Sequence, residues 1–384
     1  MAKLLPLPHL FTASAPAARC HAVGKSVSSA ALRSVRILTP TSREIRLASG
    51  IAFPAGAHET ILDAAARAGI ALPHSCRIGR CRACRARVRA GRTHASCDEG
   101  SLEEAERSVG WVLTCVRTAE SDLELEVEAL SAEGLPAPRI VPCRIADLAR
   151  LSDTVLRVTL RLPPDSAFDF RPGQHVEIIG PGGQRRSYSL ANAPRPDGRL
   201  QLLVRRVDGG LMSRYWFDEA SVGDLLRLNG PLGTFFLRGV AQRHVAFLST
   251  GTGIAPVQAM CEGLDRMPTD ARPASVLVCW GERSPTDLHW VPEASAVPIE
   301  FLPVLSRADA SWTGARGYAQ EALERRLNTT PDGWTVYACG SEAMITDARA
   351  RCRRAGVPDH HFHADPFVAY SPPATATPSG APHA

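Results

Sequence analysis

One stretch decides the fold of the N-terminal part of the chain: His74-Ser75-Cys76-Arg77-Ile78-Gly79-Arg80-Cys81-Arg82-Ala83-Cys84. Its three cysteines are spaced C-x4-C-x2-C, and Cys115 follows 31 positions after the last of them. A short loop can wrap three thiolates around one inorganic centre, and Gly79 supplies the flexibility that lets backbone N–H groups point at sulfur atoms. Residues 111–114 read as a strand that brings the fourth thiolate from the other side of the fold.

Four thiolates at this spacing are typical of a plant-type [2Fe–2S] cluster. The alternative is a structural zinc site, but such sites use paired C-x2-C or Cys/His sets, and no second pair lies near Cys115. We therefore predict that the metal ligands are Cys76, Cys81, Cys84 and Cys115. The remaining cysteines lack such spacing and are expected to be buried or incidental thiols. Clustered cysteines in a long chain without a clear signal peptide indicate a reducing, cytoplasmic compartment.

The same stretch resembles the cluster loop of plant-type ferredoxin domains, and residues 59–69 resemble the helix that precedes it. The resemblance implies an α+β ferredoxin-like (β-grasp) domain, which we place at residues 34–131 with a first strand at 35–38. In residues 123–128, Leu and Val alternate with Glu, which predicts an edge strand with one buried face. Arg82 departs from the family, which commonly has a small residue there, often Gly. A cation beside the cluster is expected to favour its reduced form.

A second motif, Arg186-Ser187-Tyr188-Ser189, resembles the R-x-Y-[S/T] motif of the ferredoxin–NADP reductase family. Arginine can pair with a flavin phosphate, a tyrosine face can stack on the isoalloxazine ring, and the serine hydroxyl can bond near the nitrogen that receives hydride. Tyr188 and Ser189 are therefore also expected at the reaction centre. The turn Gly209-Gly210-Leu211-Met212-Ser213 resembles the second phosphate contact of the family, with Gly209, Gly210, Met212 and Ser213 as cofactor-binding residues.

Short β-like runs separated by Pro and Gly surround both motifs, which predicts an antiparallel β-barrel over residues 139–240. In relatives with the ferredoxin domain at the N-terminus the flavin is usually FAD, so the resemblance implies FAD rather than FMN.

A third region, residues 243–370, alternates apolar strands with helical stretches, which predicts an α/β parallel-sheet domain. An apolar strand leads into Thr250-Gly251-Thr252-Gly253-Ile254-Ala255-Pro256, where glycines let the backbone approach a pyrophosphate. This loop resembles the family's nicotinamide-nucleotide loop, so Thr250, Gly251, Thr252, Gly253 and Pro256 are predicted to bind NAD(P)H. Cys339 and Gly340 begin a segment that resembles the family's C-G-x-x-x-M motif. Cys339 is predicted near the nicotinamide, with a buried structural thiol as the alternative.

Two further segments concern the nucleotide and the flavin. Glu282 closes a strand where family members meet the adenosine ribose, and an acid there suits free hydroxyls, whereas Arg283 or Arg307 could hold a 2′-phosphate. We favour NADH and leave NADPH open. Asp365-Pro366-Phe367 resembles the acid-x-aromatic ending of relatives, where the aromatic lies near the flavin. Asp365 is expected to assist proton balance, or else to cap a strand, and it is grouped with Cys339 and Phe367 as catalytic.

The two chain termini differ in composition from the rest of the sequence, and the overall composition argues against a membrane protein and a nucleic-acid-binding protein. The first 43 residues contain no Asp or Glu, which fits a transit peptide, although a disordered extension over residues 1–33 or a mis-called start is favoured. Residues 371–384 are expected to form a disordered tail. No apolar run reaches the length of a membrane span, and a net charge of +5 is too small to argue for nucleic acid.

The resemblance as a whole implies an enzyme that passes electrons from NAD(P)H to FAD, to the cluster, and to an electron-accepting protein. The acceptor is expected to be an oxygenase component, with a CDP-6-deoxy-glucoseen (deoxysugar dehydrase) system as the alternative. A redox sensor or carrier without turnover is a third possibility. Seven arginines and no acid lie between Cys76 and Arg92. They either face the acceptor or dock the chain's own reductase domains.

Overall fold

The computed structural model describes residues 42–130, 135–329 and 333–367. The expected strand at 35–38, the extension over residues 1–33 and the tail over residues 371–384 lie outside these described residues. Within these three stretches, no helix is both long and apolar enough to cross a membrane.

The N-terminal unit is a mixed five-stranded sheet, in the order β2-β1-β7-β3-β5, with a separate two-stranded antiparallel sheet of β4 and β6. Its helix α1 begins where the Thr60 side chain accepts a hydrogen bond from the Asp63 N–H at 3.1 Å, and it buries Ile61 and Leu62 against the sheet. This is the predicted β-grasp arrangement. Its elements are β1 (Arg43–Leu47), β2 (Ala52–Ala55), α1 (Ile61–Arg67), β3 (Arg85–Ala90), β4 (Thr93–Ala95), α2 (Glu104–Ser108), β5 (Trp111–Leu113), β6 (Arg117–Ala119) and β7 (Leu123–Glu126).

The prediction of an edge strand at residues 123–128 is wrong. Strand β7 lies inside the sheet, where it pairs in parallel with β1 and antiparallel with β3. The alternation correctly marks one buried face, with Leu123 and Leu125 inside. It carries no information about the two strand edges, because hydrogen bonding to neighbours does not depend on which face a side chain takes.

The middle unit is a six-stranded antiparallel sheet in the order β11-β10-β13-β8-β9-β12. A bridge between Leu190 and Leu202 brings the two outer strands together, so the sheet closes into the predicted barrel around a Leu-, Val- and Ile-rich core. Its elements are β8 (Arg139–Arg150), β9 (Val155–Arg161), β10 (His175–Ile179), β11 (Arg185–Ser189), β12 (Arg199–Arg205), α3 (Leu211–Arg214) and β13 (Leu225–Leu232).

The C-terminal unit is an all-parallel six-stranded sheet in the order β17-β16-β15-β14-β18-β19. Strand β14 is buried on both faces, with Phe247 in one apolar cluster and Leu248 in the other, which explains its uninterrupted apolar sequence. Its elements are β14 (His244–Thr250), α4 (Ile254–Gly263), β15 (Ser275–Glu282), β16 (Ile299–Leu305), β17 (Ala315–Arg316), α5 (Ala319–Leu327), β18 (Trp334–Ser341), α6 (Glu342–Arg354) and β19 (Phe362–Phe367).

Strand order reverses at β14, because the chain continues to β15 on one side and returns to β18 on the other. Ligands of open α/β sheets bind outside the carboxyl ends of the strands at such a point. The fold therefore places the glycine loop that follows β14 beside the segment that ends β18.

Candidate functional site

The four predicted metal ligands lie together as two pairs of thiols. In one pair the sulfur atoms of Cys84 and Cys115 are 3.2 Å apart. In the other, the Cys76 N–H points at the Cys81 sulfur at 3.4 Å, and the Cys81 N–H points at the Cys76 sulfur at 3.3 Å. Two pairs of thiols suit a centre of two irons, each with two cysteine ligands.

Backbone amides favour the thiolate form at this loop. The Ile78 N–H donates to the Cys76 sulfur at 3.5 Å. A hydrogen bond with the Cys81 thiol lowers the pKa of Cys76 to about 6, and these N–H groups add to the effect against the opposing influence of burial. The same hydrogen bond, together with burial, raises the pKa of Cys81. One thiol of this pair is therefore favoured as a thiolate, and metal binding, which requires deprotonated thiols, must displace the proton of the other.

Arg82 contributes less charge to the cluster loop than the sequence suggests. Its guanidinium bonds the Glu106 carboxylate at 2.5 Å and the Ser101 carbonyl at 2.9 Å. Glu106 in α2, which also pairs with Arg85, offsets part of this charge, and the effect of Arg82 on the cluster stays a prediction. Arg82 also has φ of 62°, a left-handed conformation that glycine adopts freely. This explains why a small residue suits that position.

The predicted flavin tyrosine lies on the barrel wall, beside the helix that follows the glycine turn. The Trp216 indole N–H donates to the Tyr188 hydroxyl at 2.9 Å, and the two rings meet edge to face with centroids 6.2 Å apart. Burial raises the pKa of Tyr188 to about 12, so the phenol stays neutral. Ser189 is buried opposite His175 in the β10–β11 ladder, and Ser187 pairs there with Glu177.

The glycine turn has open space where a phosphate could lie. A side chain added at Gly209 would meet no atom within 4 Å, and Gly210 is the N-cap of α3. Ser213 accepts a hydrogen bond from the Val207 N–H at 2.9 Å. The Met212 side chain is buried in the barrel core, so only its backbone remains for the predicted cofactor contact. The guanidinium of Arg186, on β11, donates to the Arg185 carbonyl at 2.6 Å.

The nucleotide loop and the end of β18 are in very close contact. A Cβ atom at Gly253 would lie 2.5 Å from the Cys339 carbonyl oxygen, and one at Gly340 would lie 2.3 Å from the Thr250 hydroxyl oxygen. Glycine is required at both positions, because the space of a side chain is occupied by backbone at Gly253 and by the Thr250 hydroxyl and backbone at Gly340. The Thr250 hydroxyl also accepts a hydrogen bond from the Ser341 N–H at 3.2 Å.

Above this contact lies a cavity of about 690 Å³, which is within the usual size of small-molecule sites. It is lined by several predicted residues, namely Thr250, Gly251, Thr252, Glu282, Gly340 and Phe367. Gly253 and Pro256 shape the loop from below, and Pro256 is buried in the first turn of α4. Cys339 is fully buried beneath the cavity, where burial raises the pKa of its thiol.

Arg205 is a cavity residue that the sequence analysis missed. It ends β12 of the barrel, and its guanidinium lies 3.9 Å from the Glu282 carboxylate. Burial raises the pKa of Glu282 to about 7, although the Arg205 charge opposes this. The sequence offered one signal for Arg205, its position at the end of a predicted strand and four residues before the Gly209 turn. That signal was too weak to predict a cavity residue, because an Arg-Arg pair by itself belongs to no known motif.

The C-terminal segment contacts both the nucleotide unit and the cluster loop. In the β18–β19 ladder Asp365 lies opposite Cys339 and Phe367 opposite Ser341. The Ser75 hydroxyl, next to the ligand Cys76, donates to the Asp365 carboxylate at 2.6 Å. Burial raises the pKa of Asp365 to about 6, and the Ser75 hydrogen bond partly offsets this. The structure thus brings the predicted cluster loop to the predicted catalytic acid.

Most of the other described cysteines fit the expectation of buried thiols. Cys143, Cys261, Cys279 and Cys352 are buried, whereas Cys97 is exposed.

Comparison with known proteins agrees with this geometry in all three units. Residues 46–120 match the 2Fe-2S iron-sulfur cluster binding domain, residues 142–237 the oxidoreductase FAD-binding domain and residues 247–350 the oxidoreductase NAD-binding domain. The predicted [2Fe–2S], FAD and NAD domains are therefore confirmed.

Similar proteins cover nearly the whole described chain. The CDP-6-deoxy-L-threo-D-glycero-4-hexulose-3-dehydrase reductase of Yersinia pestis is 36% identical over 326 residues, which are 83% of this chain and 96% of that protein. The toluate 1,2-dioxygenase electron transfer component of Pseudomonas putida is 31% identical over 320 residues, which are 81% of this chain and 93% of that protein. Among solved structures, the Amycolatopsis cytochrome P450 reductase GcoB is 28% identical, with a TM-score of 0.65 over 85% of this chain and 98% of that one. The chain belongs to the ferredoxin–NADP reductase-like flavoprotein reductases that carry an N-terminal plant-type [2Fe–2S] ferredoxin domain.

Proposed function

We propose that this reductase takes hydride from NADH onto FAD and delivers single electrons through the [2Fe–2S] cluster to a separate protein. FAD supplies the conversion of a two-electron donor into one-electron steps. Tyr188 and Arg186 hold the flavin, the Thr250–Gly253 loop holds the nucleotide pyrophosphate, and Cys76, Cys81, Cys84 and Cys115 hold the cluster.

One observation supports this path above the others. The Ser75–Asp365 hydrogen bond joins the residue before a cluster ligand to the strand that pairs with Cys339. A carrier that only docked elsewhere would not need its cluster loop at the carboxyl edge of the nucleotide sheet. The contact therefore supports electron transfer to the cluster within this one chain.

Glu282 supports NADH as the donor. Its carboxyl lines the cavity at the end of β15 and is only 6% exposed, so an ionised form has little solvent to screen its repulsion of a 2′-phosphate. Arg283 also lines the cavity and is the residue that would favour NADPH instead.

The acceptor is the finer part of the proposal. The higher identity to the hexulose dehydrase reductase, 36% against 31% for the toluate dioxygenase component, favours a sugar dehydrase over the oxygenase that motifs alone favour. An oxygenase component is the second candidate, since relatives of that kind cover the chain equally well.

The acceptor must reach the cluster from the exposed side of the loop. Arg77 pairs with Asp63, and Arg85 turns inward, with only 10% of its side chain exposed. Ile78, which is 52% exposed, and Arg80 remain at the surface of the loop. Arg80 is the proposed contact for an acidic partner surface, and Ile78 is the proposed apolar contact beside it.

The test uses the full chain with its cofactors and each purified candidate acceptor. We expect NADH-dependent reduction of one acceptor, and we expect Cys81→Ala to abolish it while NADH-dependent ferricyanide reduction persists. In the wild-type enzyme, ferricyanide reduction by NADH without reduction of the cluster would contradict the proposed path. Absence of any NADH turnover would favour the redox sensor.

A further inference from the structure

The ferredoxin unit is attached to the two reductase units by polar contacts. Its apolar core contains only residues between Ile45 and Ala129 among those described. A cavity of about 420 Å³ with a mixed lining lies between the units, bordered by apolar side chains such as Trp111 and Phe362 and by the charged side chains of Arg85, Arg349 and Asp359. Because the units share no apolar core, specific hydrogen bonds and ion pairs must determine where the cluster loop lies.

The loop that carries three cluster ligands is held at both ends. Its start contacts the barrel and, through the Ser75–Asp365 hydrogen bond, the nucleotide unit, and its end contacts the nucleotide unit again. At its start, the Thr234 hydroxyl of the barrel accepts from the His74 N–H at 2.8 Å, and the Thr234 N–H donates to the His74 carbonyl at 3.0 Å. At its end, Arg85 follows the ligand Cys84 directly and reaches Asp359 of the nucleotide unit at 3.6 Å.

Asp359 is surrounded by arginines from both units. Its carboxylate accepts from Arg353 at 2.7 and 2.5 Å and lies 3.7 Å from the Arg349 guanidinium. Burial alone would raise the pKa of Asp359, but the hydrogen bonds from Arg353 and the charges of Arg353, Arg349 and Arg85 outweigh it and lower the pKa. The carboxylate is therefore ionised at neutral pH.

Arg85 is fixed on the ferredoxin side of this contact. Its guanidinium lies 3.6 Å from the centre of the Trp111 ring and 3.0 Å from the Glu106 carboxylate. Stacking and pairing together leave the arginine few alternative rotamers. The residue that follows the cluster ligand Cys84 is therefore a conformationally restricted arginine, and its ion pair with Asp359 restricts the position of Cys84 relative to the nucleotide unit.

We propose that Asp359 is a positioning residue, which anchors Arg85 and so holds the cluster loop at the distance needed for electron transfer from the flavin. This inference rests on the proposed function. Electron transfer falls steeply with distance, so undocking of the ferredoxin unit slows cluster reduction and leaves hydride transfer from NADH unchanged.

The experiment compares Asp359→Asn with wild type by anaerobic stopped-flow spectroscopy of the full chain with its cofactors. Asparagine keeps the shape and one acceptor oxygen but removes the charge that holds Arg85. We expect flavin reduction by NADH at the wild-type rate and cluster reduction roughly 5- to 30-fold slower, as for loss of a half-buried ion pair. Hydrogen exchange at the His74 and Thr234 amides should accelerate, while the visible spectrum of the cluster stays unchanged.

Two further variants complete the test. Glu324→Gln is the matched control, since Glu324 accepts from Arg351 and Arg354 at 2.5 and 3.1 Å within the same unit and touches no ferredoxin residue in those contacts. It should change neither step. Arg85→Gln should slow cluster reduction as Asp359→Asn does, and the double variant should be no slower than either one.

The outcomes separate this inference from the proposed function. Suppose that NADH reduces the cluster of the wild-type enzyme. If Asp359→Asn and Arg85→Gln then show the same rate of cluster reduction and the same hydrogen exchange as the wild type, this inference is overturned and the proposed function is not. A wild-type cluster that NADH never reduces would overturn the proposed function as well. Additive effects of the two substitutions would also reject a direct Arg85–Asp359 anchor.

Discussion

Substitution of Gly253 by Ala tests the nucleotide loop most sharply. Gly253 has φ of −60°, which suits any residue, so the effect of an added methyl group is purely steric. That methyl would lie 2.5 Å from the Cys339 carbonyl oxygen, 2.8 Å from its carbonyl carbon and 2.9 Å from the Gly340 Cα. All three are backbone atoms, so the loop itself must move away from β18.

Overpacking of this kind costs about 1–3 kcal/mol. If the strain is expressed as displacement of the loop from NADH, kcat/KM falls by about 5- to 150-fold. The assay is ferricyanide reduction with varied NADH, together with flavin content and the melting temperature. Gly56→Ala is the matched control, because the nearest atom to its new methyl group is 3.5 Å away. A Gly253→Ala enzyme within twofold of the wild-type kcat/KM would refute the assignment of this loop to the nucleotide.

Three further predictions concern the acceptor, the donor and the proton at the domain contact. Arg80→Glu should slow reduction of the protein acceptor by about tenfold at low ionic strength, whereas Arg92→Glu, also exposed, should not. Equal rates in both would reject the docking role. Because the pKa of Glu282 is raised to about 7, its negative charge increases as pH rises through neutrality, so the preference for NADH over NADPH should increase with pH. This increase should be smaller in Glu282→Gln, which reports titration of the 2′-phosphate alone. Ser75→Ala removes the hydrogen bond that lowers the pKa of Asp365, so any pH transition of electron transfer that belongs to Asp365 should move to higher pH and should be absent in Asp365→Asn.

The sequence predicts the three units and the positions of their motifs because each motif combines residue type with local periodicity. The C-x4-C-x2-C loop, the Arg186–Ser189 strand and the glycine loop after β14 all depend on short-range geometry, which neighbouring residues determine. The error at β7 has the opposite origin, since its partners β1 and β3 are distant in the chain and an alternating pattern describes faces alone.

The contacts between units could not be predicted for the same reason. Ser75 and Asp365 are 290 positions apart, and neither has a partner that its neighbours in sequence would suggest. Among the arginines near the cluster, composition indicated a single basic surface. The structure divides them, because Arg82 and Arg85 share Glu106 and only Arg85 reaches Asp359. Such divisions depend on which side chains the packed units bring within ion-pair distance.

The central claim is that electrons pass from NADH through the flavin to the cluster before they leave the protein. Anaerobic mixing of the full enzyme with NADH, followed at flavin and cluster wavelengths, tests it most directly. The account predicts loss of flavin absorbance first and of cluster absorbance second, with the second phase absent in Cys81→Ala and acceptor reduction lost with it. Acceptor reduction at the wild-type rate in the Cys81→Ala enzyme, with no cluster present, would contradict the account.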